Sequence, residues 1–183
     1  MVSQTPAVGA AVARARAVLQ EVRDPEVPVL SIVELGIVRG VEVDPDRGSV
    51  TVTVTPTYSG CPAMKAIEDD IVAALTEAGF ESVKVETVYA PAWTTDWIEA
   101  PAREKLRAYG IAPPGRVTQA DSELVQISPA ESVRRSAGPP DRLLCPWCGS
   151  ADTALVSEFG ATACKSLHVC NTCRQPFERF KTF

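Results

Sequence analysis

The chain has 183 residues, 45% hydrophobic and 22% charged, with a formal net charge of -5. That length suits one ordinary domain plus a small one. The acidic balance disfavours binding to a phosphate backbone, and no apolar run approaches the ~20 residues that span a bilayer, so neither nucleic acid nor a membrane is an expected partner.

In chain order, Val12, Ala15, Val18, Leu19 and Val22 mark one face of a helix over 9–23. Asp24-Pro25 stops it, because proline disfavours a helical residue before it. No signal-peptide core precedes this point, which points to a cytoplasmic protein. A partly extended connection follows, punctuated by Pro28, Ser31 and Gly36. Residues 37–43 read as a strand, Asp44–Gly48 as a strong turn, and Ser49–Thr55 as its hairpin partner, with Val50, Val52 and Val54 alternating against threonines. Met64, Ile67, Ile71, Leu75 and Ala78 then recur at helical spacing up to Gly79, a natural residue past a helix end. A third strand is expected over 82–89. The order predicts an α+β fold: a small three-stranded sheet with helices on one face. Further on, Asp96 is expected to cap a short helix with Glu99 reaching back, and a helix is expected over 101–109. Residues 112–140 hold five prolines and no sustained period, so they read as a linker with one strand candidate at 123–127. The expected domains are therefore 9–111 and 141–183.

Cys61 is the one cysteine of the larger domain. Pro62 suits the first position of a helix, which would leave Cys61 near the N-cap, facing unpaired N–H groups that favour thiolate. The alternative is an inert, buried thiol. Asp24 and Glu26 are the candidate carboxylates to accompany it, or else they cap and solvate a turn. Thr55, Thr57 and Tyr58 either hydrogen-bond near the sulfur or finish the strand. A lone thiolate cannot hold a polynuclear cluster, so further ligands would come from a second copy of the chain, as in a homodimer, or from a client.

Five of the six cysteines lie in the tail. Cys145-Pro-Trp-Cys148 and Cys170-Asn-Thr-Cys173 are two C-x-x-C knuckles about 21 residues apart, close to zinc spacing. Four thiolates fill a closed tetrahedral zinc site, and so short a segment would draw its folding free energy from the metal. Iron is the rival for the same ligands. Cys164 and His168 are extra candidate ligands, or else a buried thiol and a strand residue. No enzyme constellation emerges: His168 is the only histidine, and neither a P-loop nor a dinucleotide-binding glycine pattern is present.

Asp24-Pro25-Glu26-Val27-Pro28, Glu34-Leu35-Gly36-Ile37-Val38, Thr55-Pro56-Thr57-Tyr58-Ser59-Gly60-Cys61-Pro62 and Pro91-Ala92-Trp93-Thr94-Thr95-Asp96-Trp97 resemble the MIP18-like iron–sulfur assembly domain, the family that includes SufT. The tail motifs, Phe159–Lys165 and Cys170-x-x-Cys173-x-x-Pro176-Phe177 among them, narrow the resemblance to the PaaD family, encoded with the bacterial phenylacetyl-CoA ring epoxidase. The resemblance implies an accessory protein of phenylacetate catabolism rather than the oxygenase catalyst. It would deliver or position iron or an iron–sulfur cluster for the di-iron oxygenase or the reductase. It also implies Cys61 as the transfer ligand and the knuckles as the tail's metal site, with Cys164 as the family's extra cysteine. The other reading is a non-catalytic adaptor that binds the epoxidase through its ribbon and its aromatic residues.

Overall fold

The structure is a computed structural model; it describes residues 6–58, 60–115 and 143–183. The strand candidate at 123–127 and most of the expected linker lie outside the described residues. The chain divides into two compact units, Met1–Trp93 with Trp97–Lys105, and Thr94–Asp96 with Leu106–Phe183.

The first unit is built on a three-stranded sheet. β1 (Val38–Asp44) and β2 (Ser49–Val54) pair antiparallel across the Asp44–Gly48 turn. The Asp44 carboxylate accepts the Asp46 and Arg47 N–H groups there, and Gly48 takes a positive φ of 60°. β3 (Ser82–Thr87) pairs parallel with β2, in the order β1-β2-β3. A parallel neighbour needs a crossover, and α2 (Met64–Glu77) supplies it. Val50, Val52 and Val54 are buried, while the intervening Ser49, Thr51 and Thr53 are only partly covered. Ile67, Ile71 and Leu75 of α2 are buried as their spacing predicts. The sheet and helices of the α+β expectation are therefore present.

The boundaries moved where local bonds outcompeted periodicity. α1 spans Pro6–Leu19 rather than 9–23. Glu21 and Val22 donate to the carbonyls of Val18 and Leu19 in tighter turns, and Arg23 is drawn into a bridge with Ser31. Between α1 and β1, Leu30, Ile32, Leu35 and Ile37 are buried, so this connection is part of the core. Ser31 and Glu34 bond each other's backbone N–H at 3.0 and 3.1 Å, a reciprocal box that closes the turn. The expected Asp96 cap is corrected. Residues Thr95–Trp97 form a single 3₁₀ turn, and the Thr94 hydroxyl accepts the Asp96 N–H. α3 runs Ala100–Ala108 and stops before Gly110, whose φ is +92°.

The second unit is a four-stranded sheet, ordered β4-β7-β6-β5. β5 (Thr153–Ser157), β6 (Lys165–Cys170) and β7 (Pro176–Phe180) form an antiparallel ribbon. β4 (Ile111–Ala112) joins β7 in parallel. Ala112, expected to open the linker, is thus a buried strand residue. Ala112, Cys145, Cys170 and Phe177 form a small core, with Leu143 and Cys173 packed on it.

Candidate functional site

The two knuckles of the second unit repeat one backbone shape. Gly149 N–H returns to the Cys145 carbonyl, and Arg174 N–H returns to the Cys170 carbonyl, each at 2.9 Å. Gly149 and Arg174 both take positive φ, 73° and 64°, which brings the chain back over its own cysteines. The four sulfurs of Cys145, Cys148, Cys170 and Cys173 all lie within 4.8 Å of one another. Two of the edges are 3.7 Å (Cys145 to Cys173) and 3.6 Å (Cys148 to Cys170). A tetrahedron of thiolates about 2.3 Å from a central ion has edges of about 3.8 Å, so the set fits one metal ion. The same spacing is far from the ~2.05 Å of a disulfide. The Cys173 N–H leads the donors that hold the Cys170 thiol down to about 6. A thiol held down in this way gives up its proton more readily, as binding a metal requires.

Cys164 and His168 stand outside this group among the described residues. Cys164 is buried, with its sulfur 3.1 Å from the Thr162 hydroxyl. His168 is a strand residue, its Nε2 2.9 Å from the Ser166 hydroxyl and its ring stacked on Phe177. Burial, followed by the charge of Arg179, pushes the imidazole below its ordinary pKa and keeps it neutral.

Cys61 is half-buried in the turn that precedes α2. It lies near the N-cap as expected, but Pro62 precedes the cap instead of opening the helix. Ala63 is the N-cap, and Cys61 sits two residues earlier, closed by a Cys61 N–H to Tyr58 carbonyl bond of 3.2 Å. The expected thiolate is corrected. Burial raises the Cys61 pKa first, and the charges of Glu26 and Asp24 raise it further. The Ala63 N–H and the Tyr58 side chain bond the sulfur and pull the other way, but they do not win. The thiol is neutral at pH 7. The fold thus brings Asp24 and Glu26 within electrostatic reach of Cys61 from a distant stretch of sequence. Asp24 is buried, and its carboxylate accepts the Glu26 and Val27 N–H groups at 2.8 and 2.7 Å. It therefore caps its turn as well as facing the sulfur. These three residues do not form a preassembled metal cluster among the described residues. Thr55, just past the end of β2, is buried, and its hydroxyl has no hydrogen-bond partner among the described residues. Such an orphan is uncommon, because each one costs desolvation energy.

Residues 13–88 match the family described as "Iron-sulfur cluster assembly protein", and residues 129–181 match "PaaD zinc beta ribbon domain". An Escherichia coli (strain K12) protein, named as one of the subunits of a "Putative 1,2-phenylacetyl-CoA epoxidase", is 45% identical over 165 residues, covering 90% of this chain and 89% of that protein. The chain belongs to the PaaD family. Its first part is also similar to the "Fe-S protein maturation auxiliary factor SufT" of Staphylococcus aureus (strain USA300), 39% identical over 84 residues, which are 45% of this chain and 93% of that one. Among solved structures, a "Domain of Unknown Function DUF59 from Bacillus anthracis" superposes with a TM-score of 0.52 at 28% identity, covering 55% of this chain and 94% of that chain.

The motifs that carried the MIP18-like resemblance have structural duties in this chain. Gly36, at φ 74°, lies so close to Trp97 that a Cβ would sit 2.9 Å from the Trp97 Cβ. The Arg39 guanidinium lies over the Trp97 ring at 3.5 Å. Trp93 is buried and donates its indole N–H to the Leu35 carbonyl at 3.0 Å. The tryptophan pair is thus packing, as its spacing implies. Sequence reasoning named Tyr58 only loosely and missed the Ala63 N–H altogether. Neither has a sequence signal, because both act on the sulfur through the turn's backbone geometry. No helix of the described residues is long and apolar enough to cross a membrane.

Proposed function

We propose that this protein is a maturation accessory of a phenylacetyl-CoA epoxidase, with Cys61 as the residue that takes iron or an iron–sulfur cluster as cargo and passes it on. One observation carries the reading: a half-buried thiol with Asp24 and Glu26 within electrostatic reach, their charges raising its pKa. Two carboxylates that oppose a thiolate attract a cation, and a cation arriving at the sulfur reverses the balance. It lowers the thiol pKa, displaces the proton and is held by the same carboxylates. Such a site releases cargo as readily as it accepts it, because one thiolate alone binds weakly. The missing ligands come from the client or from a second copy of the chain. The four-thiol site of the second unit is a closed structural zinc site, and the division into two units separates cargo handling from the ribbon.

The test is co-expression of Cys61→Ser, Glu26→Gln or wild type with the epoxidase components, reading iron content and epoxidation. Cys61→Ser is expected to reduce both at least roughly tenfold, and Glu26→Gln to give a partial loss, the order of one or two removed charge interactions. Wild-type maturation by Cys61→Ser overturns the proposal. An adaptor role is the second reading, favoured by the exposed Trp147, Leu155, Val156 and Phe159 of the second unit. It predicts fixed-stoichiometry co-purification with the epoxidase that does not depend on Cys61.

A further inference from the structure

We infer that the groove between the C-terminal ends of α1 and α2 is the docking site for a cationic amphipathic helix of the client. A cavity of about 590 Å³ lies there, floored by Val18, Val22, Ala74 and Ala78. The α2 side chains on this floor are alanines, which leave room for larger side chains from outside. The rim is Glu21, Asp70 and Glu77, all exposed, with no ion-pair partner among the described residues. The one cation at the rim, Arg23, lies 3.8 Å from Glu34 and faces that carboxylate. α1 ends at Leu19 and α2 at Glu77, so the groove is lined from the C-terminal ends of both helices; Arg16 is the basic residue in the last turn of α1, and α2 has none. An apolar floor beneath three free carboxylates and two helix C-termini suits a helix with an apolar stripe flanked by Lys or Arg. The identity of that helix as the client's rests on the maturation reading. The groove's chemistry does not.

The full chain would be titrated with a synthetic amphipathic peptide bearing leucine on one face and lysine on both flanks. A matched peptide with glutamate in place of every lysine serves as the control, followed by amide NMR shifts. The lysine peptide is expected to shift Val22, Ala74 and Ala78 and to weaken roughly tenfold from low to high salt, as pairing between solvent-exposed charges does. The triple variant Glu21→Gln, Asp70→Asn, Glu77→Gln should weaken it by a similar factor, and Ala74→Leu should block it by filling the floor. Cys61→Ser should bind the peptide as tightly as wild type, so failure of maturation and failure of docking are separately visible. Equal binding of both peptides, or shifts outside the groove, overturns the inference. So does a wild-type dimer that the triple variant dissociates, which would make the occupant a second copy of this chain.

Discussion

Thr55 is a test of the candidate transfer site at the scale of one atom. Its hydroxyl is buried without a partner in the segment that leads into the Cys61 turn. Leaving such a group unmade costs about 1–3 kcal/mol, whereas an apolar group of the same shape costs nothing comparable. Thr55→Val is therefore expected to raise the melting temperature, by an amount matching about 1 kcal/mol. A lower melting temperature would show that the hydroxyl is satisfied in solution. Stability that rises while maturation of the epoxidase falls would assign the hydroxyl to the cargo. The residue types were visible in the sequence here, but their relation was not. Asp24, Glu26 and Cys61 were each legible as candidates, but the sign of the thiol shift depends on how deeply the sulfur is buried and which charges face it. Helix-start position alone predicted the opposite sign.

Among the elements, the connection from Asp24 to Ile37 departs most from its reading as a partly extended link. It holds buried Leu30, Ile32 and Leu35, and it is closed by the Ser31–Glu34 box. Burial alone would raise the Glu34 carboxyl. The Lys105 ammonium, the Ser31 N–H and the Arg23 charge outweigh burial and hold it below its ordinary value. A carboxylate with a depressed folded pKa contributes stability that is fully present above its unfolded pKa. That contribution is lost as the pH falls through the folded value. The difference in urea midpoint between wild type and Glu34→Gln should therefore be constant near neutrality and shrink below about pH 4.5. A difference that does not change with pH would assign the effect to packing. The strands and helices themselves were well legible, because Val50, Val52 and Val54 alternate and Ile67, Ile71 and Leu75 repeat at helical spacing. Their ends were less so, since caps and tight turns are settled by a few hydrogen bonds that periodicity does not encode.

For the whole molecule, the two units rest on different physical foundations. The first has a sheet backed by helices, with Leu19, Leu30, Ile32, Val52, Ile67, Ile71 and Leu75 fully buried. Around the four-cysteine site of the second lies a cluster of four buried residues, and two of those four are themselves candidate metal ligands. Where the ligands are themselves part of the packed cluster, metal binding and folding are coupled. Excess chelator, or Cys148→Ser, is expected to abolish bound zinc and to expose residues 143–183 to amide exchange and proteolysis. Amides of β2 and α2 should stay protected under the same treatment. Continued protection of β6 and β7 without metal would mean that the ribbon core is sufficient alone.

The sequence by itself determined the element types, the α+β class, the two C-x-x-C knuckles as candidate ligands and the family. Each of these is carried by local spacing: period 2, period 3.6, C-x-x-C, and an ordered set of short motifs. Only the tertiary structure decided which sulfurs share a site, that Cys164 and His168 stand apart from it, that Ala112 joins the ribbon sheet, and that Cys61 is a neutral thiol beside Asp24 and Glu26. It also revealed the acidic groove, which no motif announces. Proximity, burial and electrostatic sign belong to pairs of residues far apart in the chain, and a linear pattern records only what neighbours along it do.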